Sequence, residues 1–372
     1  MAKERLLQGK TPLDNMSICG RQIAFTAAFL LPASKLLEVP SLLAKYAAGD
    51  LLLPAILHFL LQGGILFALL YTSSKSDKTL FERLTIRLGK WSIIFYGIYA
   101  LYFLFSAILP LFDMEKFTYA AFFDTAPTVF SFVFFFIFSA YLCVKGIKTL
   151  GRAADLSLFL YLVPFLALIG MSITTADFTH LLPLFGTKFS DTMYAFTNTT
   201  PHFSDAVLLL PLIGNLRYKK GDTVKILSGY GAGALSTLLF LATFFGIYSS
   251  IAPREHYAFS KIAEYFPALQ VIGRFDLLFI YILTIVLLFF TAMPILYTTH
   301  FTCQILHTNK RMWVSAILNI GLLIFLLFCN KYYNSIYRLI SSKLSFVFYF
   351  IADMVPLFFL LLLGMRIKKE KV

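Results

Sequence analysis

From Leu277 to Ile305 the sequence contains no aspartate, glutamate, lysine or arginine, and comparable apolar runs recur along the whole chain. An α-helix needs about 20 such residues to cross the hydrocarbon core of a bilayer. A chain assembled from many of these segments is expected to be an all-α integral membrane protein, because helices satisfy their own backbone hydrogen bonds in lipid. Composition excludes a soluble reading: 14% of the residues are charged, against roughly 25% in soluble domains. No stretch between the apolar runs is long enough to fold separately, so residues 1–372 are read as a single polytopic domain. The hydrophilic start, up to Gln22, lacks a short apolar core followed by small residues, so no removable signal peptide is expected.

Hydropathy gives ten spans, at about 17–46, 49–72, 88–112, 125–147, 151–173, 192–216, 223–250, 273–304, 312–330 and 344–365. The formal charge of +13 is dispersed in short basic clusters between spans, which points to topology and not to nucleic acid. With ten crossings and a cytoplasmic N-terminus, 22 of the 32 lysines and arginines fall on the inner side, so both termini are expected to be cytoplasmic. Trp91 and Trp313 stand at inner boundaries, where indole rings settle. Between the seventh and eighth spans, His256 to Ile272 reads as a short helix lying flat on the outer face. Gly229 and Gly233 in the seventh span form a GxxxG spacing that allows close helix packing.

Two spans are interrupted. In the first, Pro32 has no amide hydrogen for residue 28 and its ring clashes with that carbonyl, so a break is expected there, with a new half-helix starting near Ala33. In the sixth, Thr197-Asn198-Thr199-Thr200-Pro201-His202-Phe203-Ser204-Asp205 puts a proline into a polar run. Irregular backbone at membrane depth is tolerated only where protein or a water-filled cavity surrounds it. Breaks in spans one and six of ten are five spans apart, as two inverted repeats of five helices produce. The first repeat is expected at about 17–173 and the second at about 192–365, in a leucine-transporter-like fold.

The candidate binding residues are Pro32, Ala33, Ser34, Thr199, Thr200, Pro201, His202 and Asp205, with Tyr102 or Tyr99 of the third span closing the site. Free amides near Ala33 suit a carboxylate, and the carbonyls near Thr199 suit an ammonium or a cation. Asp205 within a span costs about 2.5–3.5 kcal/mol on insertion scales and so calls for a partner or a cavity. The threonines equally suit a plainer role, satisfying carbonyls that Pro201 frees. Lys35 and Glu38, three residues apart, are placed to pair with each other. His202, beside the break, reads as a group that can titrate near neutral pH or as a hydrogen-bonded structural histidine, and His300 reads as a packing or interhelical contact. The four cysteines lie on separate spans without metal or disulfide spacing, and the six histidines show no metal motif. No cofactor, metal site or catalytic constellation is expected.

Several stretches carry a family resemblance: Glu38-Val39-Pro40-Ser41-Leu42-Leu43-Ala44-Lys45, Thr79-Leu80-Phe81-Glu82, Lys145 to Asp155, His180-Leu181-Leu182-Pro183-Leu184-Phe185, Pro201 with Asp205, Pro211-Leu212-Ile213, and Arg217 to Lys220. In this order the chain resembles the B subunit of the spore germinant receptors, a branch of the amino acid, polyamine and organocation transporter superfamily. It departs from that pattern in the charges of Lys35 and Glu38, in His202 and in an aspartate at 205. The resemblance implies a non-enzymatic permease in the spore inner membrane or cell membrane. It further implies a small germinant such as an amino acid bound centrally, with receptor A and C subunits as partners besides the lipid bilayer. The alternative reading is a cation- or proton-coupled amino acid transporter.

Overall fold

A computed structural model describes residues 18–76, 78–122, 128–183, 185–265, 276–308, 310–340, 342, 346–355 and 358. Among them no strand occurs and helices carry almost the whole chain. The second, fifth and seventh spans are the long helices Leu52–Ser73, Ile147–Ser172 and Asp222–Tyr248, and the eighth and ninth are Asp276–Ile305 and Arg311–Cys329. The fourth is Thr128–Lys145, and the tenth is described from Phe346 to Val355. Large apolar side chains such as Leu60, Phe134 and Phe328 stand fully outward, the surface a bilayer would cover.

The third span runs further than hydropathy placed it. It passes from Ser92–Ser106 into Ile108–Phe122, and Asp113, Glu115 and Lys116, read in sequence as beyond its end, are helical. Before it, the helix Leu80–Leu88 is started by a capping box, in which Thr79 accepts from the Glu82 amide while the Glu82 carboxylate accepts from the Thr79 amide.

The first span is broken, but not where Pro32 predicts. Ahead of the proline the chain widens into a π-helix, Thr26–Leu30, in which the Leu31 amide donates to the Thr26 carbonyl. One wide turn absorbs the missing amide and the ring clash, and the helix continues through Pro32 to Lys35. The break comes at Leu36 to Glu38, and the second half, Val39–Ala47, leaves at 63° with Pro40 in its first turn. Ala33 is fully buried, and its carbonyl accepts from the Leu36 amide. The second half-helix thus starts at Val39 and not near Ala33. The carbonyls of Leu36 and Leu37 accept from the amides of Phe259 and Ala258. These begin the helix Ala258–Tyr265, which therefore docks on the break; the remainder of the stretch to Ile272 lies outside the described residues.

The seventh span packs against the π-turn of the first. A side chain on Gly229 would stand 2.5 Å from the Ala24 carbonyl oxygen, and one on Gly233 would run into the Ala27 carbonyl and Pro32. The GxxxG spacing thus serves helix contact. At one end of the bundle Asp50 ties the turn after the first span to the segment before the sixth, accepting from the amides of Phe185 and Thr187 and from the Thr187 hydroxyl, each at 2.7 Å.

Candidate functional site

The sixth span stops at Thr199, passes through a 3-10 turn at Thr200–His202, and restarts at Asp205. Pro201 breaks it where the sequence placed the break, and Asp205 opens the new half. A helix end buried in a membrane needs partners for its last carbonyls and first amides. Two side chains of the second span, one turn apart, supply them.

His58 Nε2 lies 3.0 Å from the Phe196 carbonyl and 3.1 Å from the Thr199 hydroxyl. A carbonyl only accepts, so Nε2 carries the hydrogen. The imidazole is stacked between the rings of Phe196 and Phe203, at 4.0 and 4.4 Å. Gln62 holds the other half: its Oε1 accepts from the Ala206 amide at 2.9 Å, while its Nε2 donates to Asp353 of the tenth span at 2.7 Å. Sequence reasoning missed both residues. The available signal was two amphiphilic residues four apart, hence on one face, in an otherwise apolar span.

Lys35, the last residue before the first break, donates to Asp205, the first residue after the second, at 2.6 Å. Both side chains are buried, and the Tyr230 hydroxyl of the seventh span reaches the other Asp205 oxygen at 3.4 Å. The expected Lys35–Glu38 pair is thus replaced by one that spans the two breaks. The turn at Leu36 to Glu38 swings Glu38 away from the helical face of Lys35.

Beside this ion pair lies a cavity of about 60 Å³, room for a few water molecules. The first span lines it with Ser34, Leu37 and Glu38, and the sixth with Pro201, His202, Ser204 and Leu208. Tyr102, Ser106 and Asp113 of the third span face it, as do Phe290, Thr291 and Pro294 of the eighth and Tyr349 of the tenth. Ser34, Tyr102, Pro201, His202 and Glu38 therefore meet in one place. Pro32, Ala33, Thr199, Thr200 and Asp205 are not among its lining residues. Thr199 and Thr200 donate to the carbonyls of Ala195 and Phe196, the plainer of their two sequence readings. Tyr99 donates to the Ala352 carbonyl. His300 lies buried in the eighth span, away from the cavity. Among the described residues no group of three or more His, Cys, Asp or Glu side chains is arranged to hold a metal ion.

The profile of the spore germination protein family matches residues 34–334, from the first break to beyond the ninth span. The chain belongs to that family. No curated protein sequence matches it. A solved structure similar to this spore germination protein is that of a mutant manganese transporter from Eremococcus coleocola. The identity is 12%, the TM-score 0.55, and the match covers 91% of this chain and 77% of that one. At such identity the likeness speaks for the fold. The spore germination protein has a leucine-transporter-like fold and is an integral membrane permease or receptor, not an enzyme.

Proposed function

We propose that this protein is the B subunit of a spore germinant receptor, and that a small germinant binds in the cavity between the two breaks. The observation that carries the reading is the meeting of both interrupted helices around one cavity in a chain of the spore germination protein family. Ser34, Tyr102, Pro201 and His202 contact the germinant, while the buried Lys35–Asp205 pair and the second span fix the broken ends around it. Binding favours one packing of the first and sixth spans against the others, and A and C subunits read that shift. The subunit sits in the spore inner membrane with both termini cytoplasmic, and its two five-helix repeats cover about 17–173 and 192–365.

The test is germination of spores lacking this chain and of spores carrying it with a filled cavity, Ser34→Leu. Loss of response to at least one small nutrient in both supports the reading; normal germination of both overturns it. Co-purification of A- and C-type partners with the intact chain tests the assembly. A second reading, a cation- or proton-coupled amino acid transporter, is compatible with the transporter-like fold. Concentrative uptake of labelled amino acid by proteoliposomes holding this chain alone would decide for it.

A further inference from the structure

Once Lys35 is taken up by Asp205, the central cavity keeps two carboxylates of its own. Glu38 enters it from the first break and Asp113 from the third span. Among the described residues no hydrogen bond or salt bridge joins either side chain to another, and Asp113 Oδ1 is buried without a donor. Lys116, one turn past Asp113, acts on both through its charge. Its ammonium nevertheless lies against the Tyr333 ring, 2.9 Å from the centroid, and outside the cavity lining. The only titratable wall residue among those described that can carry positive charge is His202.

A third group points into the same space. Tyr102 is 2% exposed, and its hydroxyl has no hydrogen-bond partner, although Ser204 stands across from it. A buried phenol and two carboxyl groups lining one cavity are a costly arrangement in a membrane interior unless a guest completes it. The remaining wall is aromatic and apolar, formed by Phe290, Tyr349 and Leu287.

We infer that the guest is a small organic cation, its ammonium or guanidinium head held between Glu38 and Asp113 within reach of the Tyr102 hydroxyl, and that the cavity of about 60 Å³, which takes the head alone, widens along Phe290 and Tyr349 for the apolar body as the first and sixth spans repack. This names the ligand class of the cavity proposed above and rests on that reading. Two acceptor carboxylates suit a group rich in N–H donors, and ring faces add cation–π attraction. A guest carboxylate would find two acid side chains and, among the described wall residues, no basic group except His202. A plain zwitterion therefore gains less here than a molecule with a second cationic group.

The experiment measures binding to the purified full chain in lipid nanodiscs by calorimetry and thermal shift. The probes are L-lysine, its uncharged-tail analogue L-norleucine, L-glutamate, and potassium chloride alone. Lysine should bind roughly tenfold or more tighter than norleucine, and glutamate should not bind. Glu38→Gln and Asp113→Asn should each remove most of the lysine preference, with little change in norleucine affinity, and Tyr102→Phe should weaken lysine severalfold. Norleucine or glutamate binding as well as lysine would overturn the charge assignment alone, as would a lysine preference that survives both carboxylate changes. Stabilisation by potassium chloride equal to that by lysine would overturn the organic cation. Binding of no probe at all would remove the cavity reading as well. Should a variant fail to fold, the comparison of lysine with norleucine on the unaltered chain still decides.

Discussion

Lys35 and Asp205 lie 2.6 Å apart and join the end of one broken helix to the beginning of the other. A buried pair of this kind is weak as a source of stability but strong as a constraint, because either charge left alone is intolerable. Both helices must therefore break at the depth where these two residues meet.

Asp205→Asn leaves the Lys35 ammonium buried without its counter-charge. The expected loss is about 3–5 kcal/mol, read as a large fall in the melting temperature of the purified protein. Lys35→Met combined with Asp205→Leu should restore most of it. An Asp205→Asn protein that melts like the parent would show that the pair is not closed in the membrane.

Gln62→Leu strands the Ala206 amide and the Asp353 carboxylate together. Each buried group left without its partner costs about 1–3 kcal/mol. Hydrogen exchange at Ala206 and its helical neighbours should accelerate, while exchange in the ninth span stays as it was. Equal protection in parent and variant would mean that the restart of the sixth span is held by something else.

Gly233→Ala and Gly229→Ala each press a methyl group into backbone of the first span, where no flexible side chain is free to yield. Overpacking of this sort costs about 1–3 kcal/mol. Gly231→Ala, two residues from each, meets open space and serves as the control, with stability unchanged or slightly raised. The check is a set of three melting curves, and identical curves would refute the close approach.

Asp50 gives a dependence on pH. Burial works against its charge, but the amide and hydroxyl of Thr187 and the amides of Phe185 and Gly186 outweigh it and hold the carboxyl below its usual range. A lowered folded value means that the stabilisation is complete above the unfolded value, about 3.9, and disappears as pH falls through the folded one. Asp50→Ala should cost on the order of 3 kcal/mol at neutral pH. The gap in melting temperature between parent and variant should close only in acid, below about pH 4. A gap that closes already near pH 6 would contradict the assignment.

The spans, the break at Pro201 and the gathering of Ser34, Tyr102, Pro201 and His202 were legible in the sequence, because each follows from local rules of hydropathy and proline geometry. The first break was read one turn early. Proline announces a defect in the hydrogen-bond ladder but not its form, and here a π-turn absorbs it. Partner choice was not legible at all. Lys35 faced Glu38 by spacing, and only the bend between them and the arrival of the sixth span redirect it to Asp205. Asp113 was hidden for another reason: a cluster of charges after an apolar run reads as the end of a span, and nothing local says that the helix continues beside a cavity.

The wide turn at Thr26–Leu30 has a consequence for how this span is phased. It fits one residue more into the helical path than regular winding would, and each residue is worth about 100° around the axis. Deleting a single alanine there would let the turn close to regular winding with Lys35 still aimed at the sixth span, whereas the same deletion after Leu31 would turn the lysine by about 100°. What looks like an anonymous stretch of Thr26-Ala27-Ala28-Phe29-Leu30 is the clock that times everything after it.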